Sequence, residues 1–282
     1  MSEKIYLNGN IVNSEQAKIS VYDSGFLYGT GLFETMRAYK GKVFRLDDHI
    51  DRIFSSAEKL GIVIGGDKKK IYDAVMNTLD ANGLKEARMK LTVTNGSFGD
   101  GDKPTPTVVV TAEDFVAYPQ EYYEKGVRVS LTDYRQNPAD PLTGHKTICY
   151  NARLMALRAA HGKNTAEALW FTVENKLAEG CVSNVFIVKG DKISTPKLDT
   201  PVLGGIARKT VIELAEKSGI DLTEEDIFIN DLLKADEVFI TNVIMTVMPV
   251  VAVEAHTVAE GKPGLFTQML LEKYKESFNV NT

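Results

Sequence analysis

The chain has 282 residues, 44% of them hydrophobic and 25% charged, with a net charge of −5; that is long for one core and comfortable for two. Charges of both signs are mixed along it, and no basic run exceeds Lys68-Lys69-Lys70, so a nucleic-acid surface is excluded. No apolar stretch approaches the roughly 20 residues of a membrane helix, and the start MSEKIYLNGN lacks an apolar signal core, so neither a membrane nor a secretion route is expected.

Two cysteines, Cys149 and Cys181, are too few for a disulfide framework, which fits a reducing cytoplasm. Four histidines are scattered without ligand spacing, and no CxxC, HExxH or GxSxG is present, so no metal and no serine nucleophile are expected. Any demanding chemistry then falls to an organic cofactor.

In chain order, KIYLNGNIV alternates around an Asn-Gly turn and predicts a hairpin. Residues 48–62 place Ile50, Ile53, Ala57 and Leu60 on one helical face ending at Gly61, and KKKIYDAVMNTLDANG predicts a second helix. Strands are expected at about 88–94 and 106–112. GSFGDGDKPTP (96–106) could form a lid or an ordinary surface loop, and AYPQEYYEKG reads as a connector. A strand VRVSLTD follows, then a helix at about 147–161, strands at about 167–173, 184–188, 237–241 and 247–253, and helices at about 206–218 and 263–276. The strict βαβ rhythm of a doubly wound sheet is absent. The expected architecture is a mixed α/β fold with a small domain at 1–116, a connector at 117–126 and a large domain at 127–282, with a ligand cleft between the domains.

Four places can carry chemistry. Lys146, in GHKTICYNARLMA, precedes a predicted helix with apolar Ile148, Leu154, Met155 and Leu157; apolar surroundings disfavour an ammonium and favour a nucleophilic amine. Glu179, in KLAEGCVSNVF, can face a heterocyclic nitrogen. Gly204-Gly205 opens directly into an amphipathic helix, whose N–H groups suit a phosphate. Thr241-Asn242 breaks two strands in a turn that can offer N–H groups to an anion. Taken singly, each has a plain structural reading: a solvated lysine, a surface carboxylate, a glycine turn, a strand connection.

Their order and spacing resemble the fold-type IV pyridoxal 5′-phosphate (PLP) enzymes of the class IV aminotransferase family. The blocks that carry the resemblance are LNGNIV, SVYDSGFLYGTGLFETMRAYKGKVFRLDDHIDRI, HKTICYNARLMA, LAEGCVSNVF, TPKLDTPVLGGIAR and ADEVFITN, and they span nearly the whole chain. The resemblance implies a PLP cofactor held as a Schiff base by Lys146, the catalytic residue. Arg52 and the loop of Gly205, Ile206 and Ala207 would bind its phosphate, with Asn242 and Val243 in the second turn. Glu179 would face the pyridine nitrogen, Leu203 would pack on the ring, and Tyr150 would lie near the phenolic oxygen. A homodimer and a small amine or amino-acid substrate are implied, with Thr35, Arg37 and Lys90 as substrate-side candidates. His49, in the block of Arg52, reads as a helix-packing or capping histidine.

Three departures bear on the reaction. Asn95 stands where D-amino-acid aminotransferases carry an arginine, and Lys90 where branched-chain enzymes often have one. Ala207 and Val243 replace threonines common in aminotransferases. TNVIMTVMPV resembles the Asn-x-x-Met…Met-Pro stretch of aminodeoxychorismate lyases. The expected reaction is therefore conversion of 4-amino-4-deoxychorismate to 4-aminobenzoate and pyruvate, with amino-group transfer between a branched-chain or D-amino acid and a 2-keto acid as the alternative.

Overall fold

A computed structural model describes residues 3–97 and 105–279. It divides into two compact units, one formed by the described residues up to Val116 together with His145–Cys149, the other by Ala117–Gly144 and Tyr150–Asn279. The segment 145–149, inside the expected 127–282 domain, thus folds with the first unit.

The first unit contains β1 (Lys4–Leu7), β2 (Asn10–Asn13), α1 (Ser24–Tyr28), β3 (Gly31–Tyr39), β4 (Lys42–Val43), α2 (Leu46–Leu60), α3 (Lys68–Ala81), β5 (Ala87–Ser97) and β6 (Thr105–Asp114). Its six strands form an antiparallel sheet in the order β2-β1-β6-β5-β3-β4. The predicted hairpin is β1–β2, turned at Asn8-Gly9 with both residues at positive φ, the conformation a two-residue hairpin needs. Helix α2 ends where Gly61 turns left-handed, and Asp67 caps α3 by accepting Lys70 N at 2.8 Å. In β3 and β5 alternate residues (Leu32, Met36 and Ala38; Met89, Leu91 and Val93) are buried and belong to one core with Ile50, Ile53, Ile71, Val75 and Leu79 of α2 and α3. The opposite phase of the sheet carries Phe33, Thr35, Arg37 and Lys90.

The second unit contains α4 (Gln120–Lys125), β7 (Val127–Gln136), α5 (Asn151–Gly162), β8 (Glu167–Thr172), β9 (Leu177–Gly180), β10 (Asn184–Lys189), β11 (Lys192–Pro196), α6 (Ile206–Lys217), β12 (Asp221–Glu225), α7 (Ile229–Leu233), β13 (Glu237–Asn242), β14 (Thr246–Val253), β15 (His256–Thr257) and α8 (Leu265–Ser277). Its sheet runs β12-β11-β10-β13-β14-β7-β8-β9, with β15 on β14. Antiparallel pairs are combined with the parallel pairs β11–β12, β14–β7 and β7–β8, so the mixed α/β class expected from sequence is the observed one. Phe186 and Phe239 lie opposite each other on β10 and β13 and stack with ring centres 4.8 Å apart.

Several local expectations change. The connector 117–126 holds α4. The helix expected at about 147–161 starts only at Asn151, because the residues before it run extended along β3: Phe33 N donates to Lys146 O (2.9 Å), Ile148 N donates to Gly31 O (3.0 Å), and Leu32 bridges Thr147. Ile148 therefore does not belong to a helix face, and Leu154 and Met155 are exposed rather than packed; α5 buries Ala156 and Ala160 instead. Most of the loop read as a lid, residues 98–104, lies outside the described residues.

Candidate active site

In the first unit the annexed segment places Lys146. Its Nζ lies 4.4 Å from the centre of the Phe33 ring, and Lys90 Nζ lies 5.0 Å from the same ring. Thr35 is directly opposite Lys90 in the β3–β5 register. Lys146 and the substrate-side candidate Lys90 are therefore gathered at one aromatic ring, whose face attracts cations. Arg37, two residues further along β3, packs on Phe115 (3.9 Å to the ring centre) and pairs with Glu86 at 3.6 Å, a structural employment. Asn95 Oδ1 accepts Val63 N at 2.7 Å and ties a loop.

Behind this strand sits a charge cluster that the sequence pattern reveals only in part. Glu34 belongs to the buried phase of β3, 1% exposed. It accepts His49 Nδ1 at 2.7 Å, Arg52 Nε at 2.8 Å and Arg52 Nη2 at 2.5 Å. Burial alone would raise its carboxyl, but the Arg52 charge, with the His49 hydrogen bond, outweighs that and holds it at about 2. His49, equally buried, is pushed down by desolvation against the pull of Glu34, with the Arg52 and Lys146 charges adding to the depression. It is therefore a neutral ring donating from Nδ1 to a carboxylate, and its Nε2 has no hydrogen-bond partner among the described residues. Arg52, on α2, is clamped to the Glu34 carboxylate through two of its own nitrogens, its side chain 15% exposed.

In the second unit Glu179 is the penultimate residue of β9, its side chain 4% exposed. Oε1 accepts Arg153 Nη2 (2.5 Å) and Gln136 Nε2 (3.0 Å), and Oε2 accepts Leu203 N (3.0 Å). Asn184 Nδ2 donates to Leu203 O at 2.8 Å and so holds the loop leading into α6. Gly205 is the N-cap of α6 and no side chain caps that helix, so the first-turn N–H groups at Ile206 and Ala207 are presented by backbone alone. A Cβ at Gly205 would collide with Asn184 Oδ1, which explains the glycine. Asn184 is paired with Thr241 across β10–β13, which brings the Asn242–Val243 turn alongside. That turn is closed on itself: Asn242 Oδ1 accepts Ile244 N (2.9 Å) and Met245 N (2.8 Å), and Nδ2 donates to Val182 O (3.1 Å). The N–H groups of residues 244 and 245 are thus spent within the turn, and Val243 is buried. The Thr241 hydroxyl beside the turn is buried without a hydrogen-bond partner among the described residues.

Tyr150 donates its hydroxyl to Cys181 O at 2.7 Å, and burial pushes its pKa up. Glu167, completely buried, accepts the N–H groups of Ala168, Cys181 and Val182 and the Ser183 hydroxyl; it fixes the turn after Glu179, and burial pushes its carboxyl up. Arg153, Gln136, Asn184 and Glu34 were missed by sequence reasoning. Two left a signal: Glu34 is a lone acid in the apolar phase of an alternating strand, and Arg153 shares a helix face with Ala156 and Ala160 at i+3 and i+7.

The family model for class IV amino-transferases matches residues 31–253. The chain belongs to the class IV aminotransferases. This class IV chain is 37% identical over 278 residues to a putative branched-chain-amino-acid aminotransferase of Methanocaldococcus jannaschii, covering 97% of this chain and 96% of the relative. It is 29% identical over 280 residues to D-alanine aminotransferase of Listeria monocytogenes, covering 97% and 95%. Among solved structures it is similar to the Escherichia coli branched-chain amino acid aminotransferase, with a TM-score of 0.93 at 27% identity over 100% of this chain and 96% of that one. The T.th. branched-chain enzyme, solved with pyridoxamine 5′-phosphate, gives 0.93 at 28%, again over 100% and 96%. The 4-amino-4-deoxychorismate lyase of Pseudomonas aeruginosa gives 0.85 at 26% over 96% and 98%. Class IV aminotransferases are PLP enzymes.

The donor sets fit that cofactor. An ionised carboxylate has about four acceptor positions; Glu179 fills three with donors, leaving room for one further N–H. The uncapped start of α6, with a glycine where a side chain would intrude, suits a phosphate. No group of acidic, histidine or cysteine side chains among the described residues is arranged to hold a metal, and no helix among them is long and apolar enough to cross a membrane.

Proposed function

We propose that this chain is a PLP-dependent aminotransferase that moves an amino group between a branched-chain amino acid and a 2-keto acid. The observation that carries this reading is the full-length similarity to a putative branched-chain enzyme, together with the higher structural agreement with branched-chain enzymes than with the lyase. It replaces the lyase reading, which leaned on TNVIMTVMPV. In that stretch Asn242 closes its own turn, Met245 and Met248 are core residues, and Pro249 pairs with Phe239 inside the sheet. Those residues are employed in folding and say little about substrate.

Each residue contributes one action. When bound, PLP supplies an aldehyde for amine exchange and an electron sink for the substrate's α-carbon. Lys146 carries it through Nζ and takes and returns the α-proton as general base. Arg52, aimed by Glu34, binds the phosphate, as do the N–H groups of Ile206 and Ala207 beyond Gly205. Leu203 packs on the ring, and Glu179 faces its nitrogen. Lys90, beside Lys146 at the Phe33 ring, binds the substrate carboxylate, with Thr35 opposite it. Tyr150, Asn242 and Val243 support their turns. A homodimer is part of the proposal, supported by the exposed apolar run Ile19, Val21, Tyr22, Phe26, Leu27 and Tyr28. So is a cytoplasmic location, supported by two free cysteines.

The test mixes the PLP-loaded protein with L-leucine, L-valine, L-isoleucine or D-alanine and follows conversion of the cofactor's absorbance to that of its amine form. In parallel, 4-amino-4-deoxychorismate is supplied and 4-aminobenzoate is sought. Conversion by the branched-chain amino acids, absent in Lys146→Ala, is the expected result. Formation of 4-aminobenzoate with no amino-acid conversion would return the lyase reading.

A further inference from the structure

The Glu179 carboxylate lies in a socket made of donors, and only one of them is charged. Gln136 Nε2 and Leu203 N are neutral; Arg153 brings a full positive charge to Oε1 at 2.5 Å. Arg153 is itself anchored: Nη1 donates to Gly180 O (3.0 Å) and Cys181 O (3.3 Å), the two carbonyls that follow Glu179. Its guanidinium is flanked by the Tyr150 and Trp170 rings, at 5.8 and 5.6 Å. The arginine therefore fixes both the end of β9 and the side chain that β9 presents. Gln136 has a related arrangement: with Nε2 spent on Glu179, its buried Oε1 has no hydrogen-bond partner among the described residues.

We propose that Arg153 is a positioning residue acting through Glu179: it aims the carboxylate and draws on its negative charge, so that a proton on the cofactor's ring nitrogen stays on nitrogen. The inference rests on the reading that Glu179 faces that nitrogen. A carboxylate relieved of that cation pulls harder on a neighbouring N–H, and charge-assisted hydrogen bonds are about twice as strong as neutral ones. Arg153 therefore dominates and Gln136 assists. A ring that keeps its proton withdraws electrons from the substrate's α-carbon; one that yields it does so less. The effect belongs in turnover rather than in substrate binding, since neither residue is a substrate contact in the proposed roles.

The test loads the protein with PLP labelled with ¹⁵N in the ring and reads the nitrogen chemical shift. Wild type is expected at a protonated value and Glu179→Gln at an unprotonated one. Arg153→Met is expected to move toward the Glu179→Gln value while still binding PLP, and Arg153→Lys to stay near wild type. Turnover of Arg153→Met should fall roughly 10- to 100-fold, the rate equivalent of one charge-assisted hydrogen bond, with KM nearly unchanged. Arg153→Met with bound PLP and a wild-type shift overturns the proposal. Should that variant not fold, Gln136→Leu decides: a smaller displacement in the same direction supports the proposal, and none overturns it. A wild-type shift that Glu179→Gln fails to move overturns the placement of Glu179, and this inference with it.

Discussion

Replacing Glu34 by glutamine keeps the shape of a fully buried side chain and removes only its charge. A carboxyl held at about 2 against an ordinary 4.5 favours the folded state at neutral pH by roughly 3 kcal/mol. Loss of one partner from a buried ion pair costs a similar amount, about 3–5 kcal/mol, because the other charge is left uncompensated. Glu34→Gln should therefore destabilise the first unit by about 3 kcal/mol at pH 7. The pH dependence follows from the direction of the perturbation. The folded value is lower, so the unfolded chain takes up the proton first. The stabilisation is complete above about pH 4.5 and drains away as pH falls toward 2. Urea denaturation of both proteins at several pH values, with hydrogen exchange of the β3 amides to localise the change, reads this directly. A gap below about 1 kcal/mol at neutral pH, the worth of an exposed pair, would refute the reasoning. So would a gap that stays constant as pH is lowered through the carboxylate range. PLP affinity should fall together with stability, because Arg52 loses the clamp that aims it.

Burial holds His49 neutral, so its contribution should be present above about pH 6.5 and decline below it; the wild-type stability profile should show that decline and His49→Gln should lack it. Gly205→Ala would push a Cβ against Asn184 Oδ1, destabilising by about 1–3 kcal/mol and weakening phosphate binding; a double-mutant cycle with Asn184→Ala should show strong non-additivity. Cys181 is buried with its thiol pushed up to about 12, whereas Cys149 is exposed, so a thiol reagent should titrate one cysteine quickly in the folded protein and both in denaturant. Lys90→Gln should raise KM for amino acids and keto acids more than it lowers kcat; a change confined to kcat would remove Lys90 from substrate carboxylate binding.

Elements with a strong period were legible in the sequence: α2, α3, α6, α8 and the long strands β5, β6, β8, β13 and β14 stand where alternation or a helical face put them. Short elements such as α1, α7, β9, β11 and β12 were not seen, because four or five residues hardly express a period, whereas the six-residue β10 stands where a strand was expected at about 184–188. The start of α5 was misread for a tertiary reason. Residues 146–148 pair with β3 far away in the chain, and local helical propensity cannot report that edge. The site shows the same division. Arg52, Lys146, Glu179 and Gly205 stood out through order and spacing, whereas Glu34, which holds Arg52, Arg153 and Gln136, which hold Glu179, and Asn184, which holds the loop before Gly205, come from other elements and meet their partners only in three dimensions. The Asn242–Met248 stretch, read from sequence as a substrate signal, also serves the turn and the core, a role that sequence alone did not display.

The annexed segment at 145–149 has a consequence for how this protein can be divided. The chain leaves the first unit after Val116, returns for five residues, and departs again at Tyr150. No single cut yields two complete pieces. A fragment ending at the connector would keep the N-terminal half of β3 as a bare edge, open to pairing with a stranger. A fragment starting there would carry Lys146 with no sheet to seat it. During synthesis that edge waits for a partner until the lysine itself emerges, so the seat and its occupant are completed in one late event.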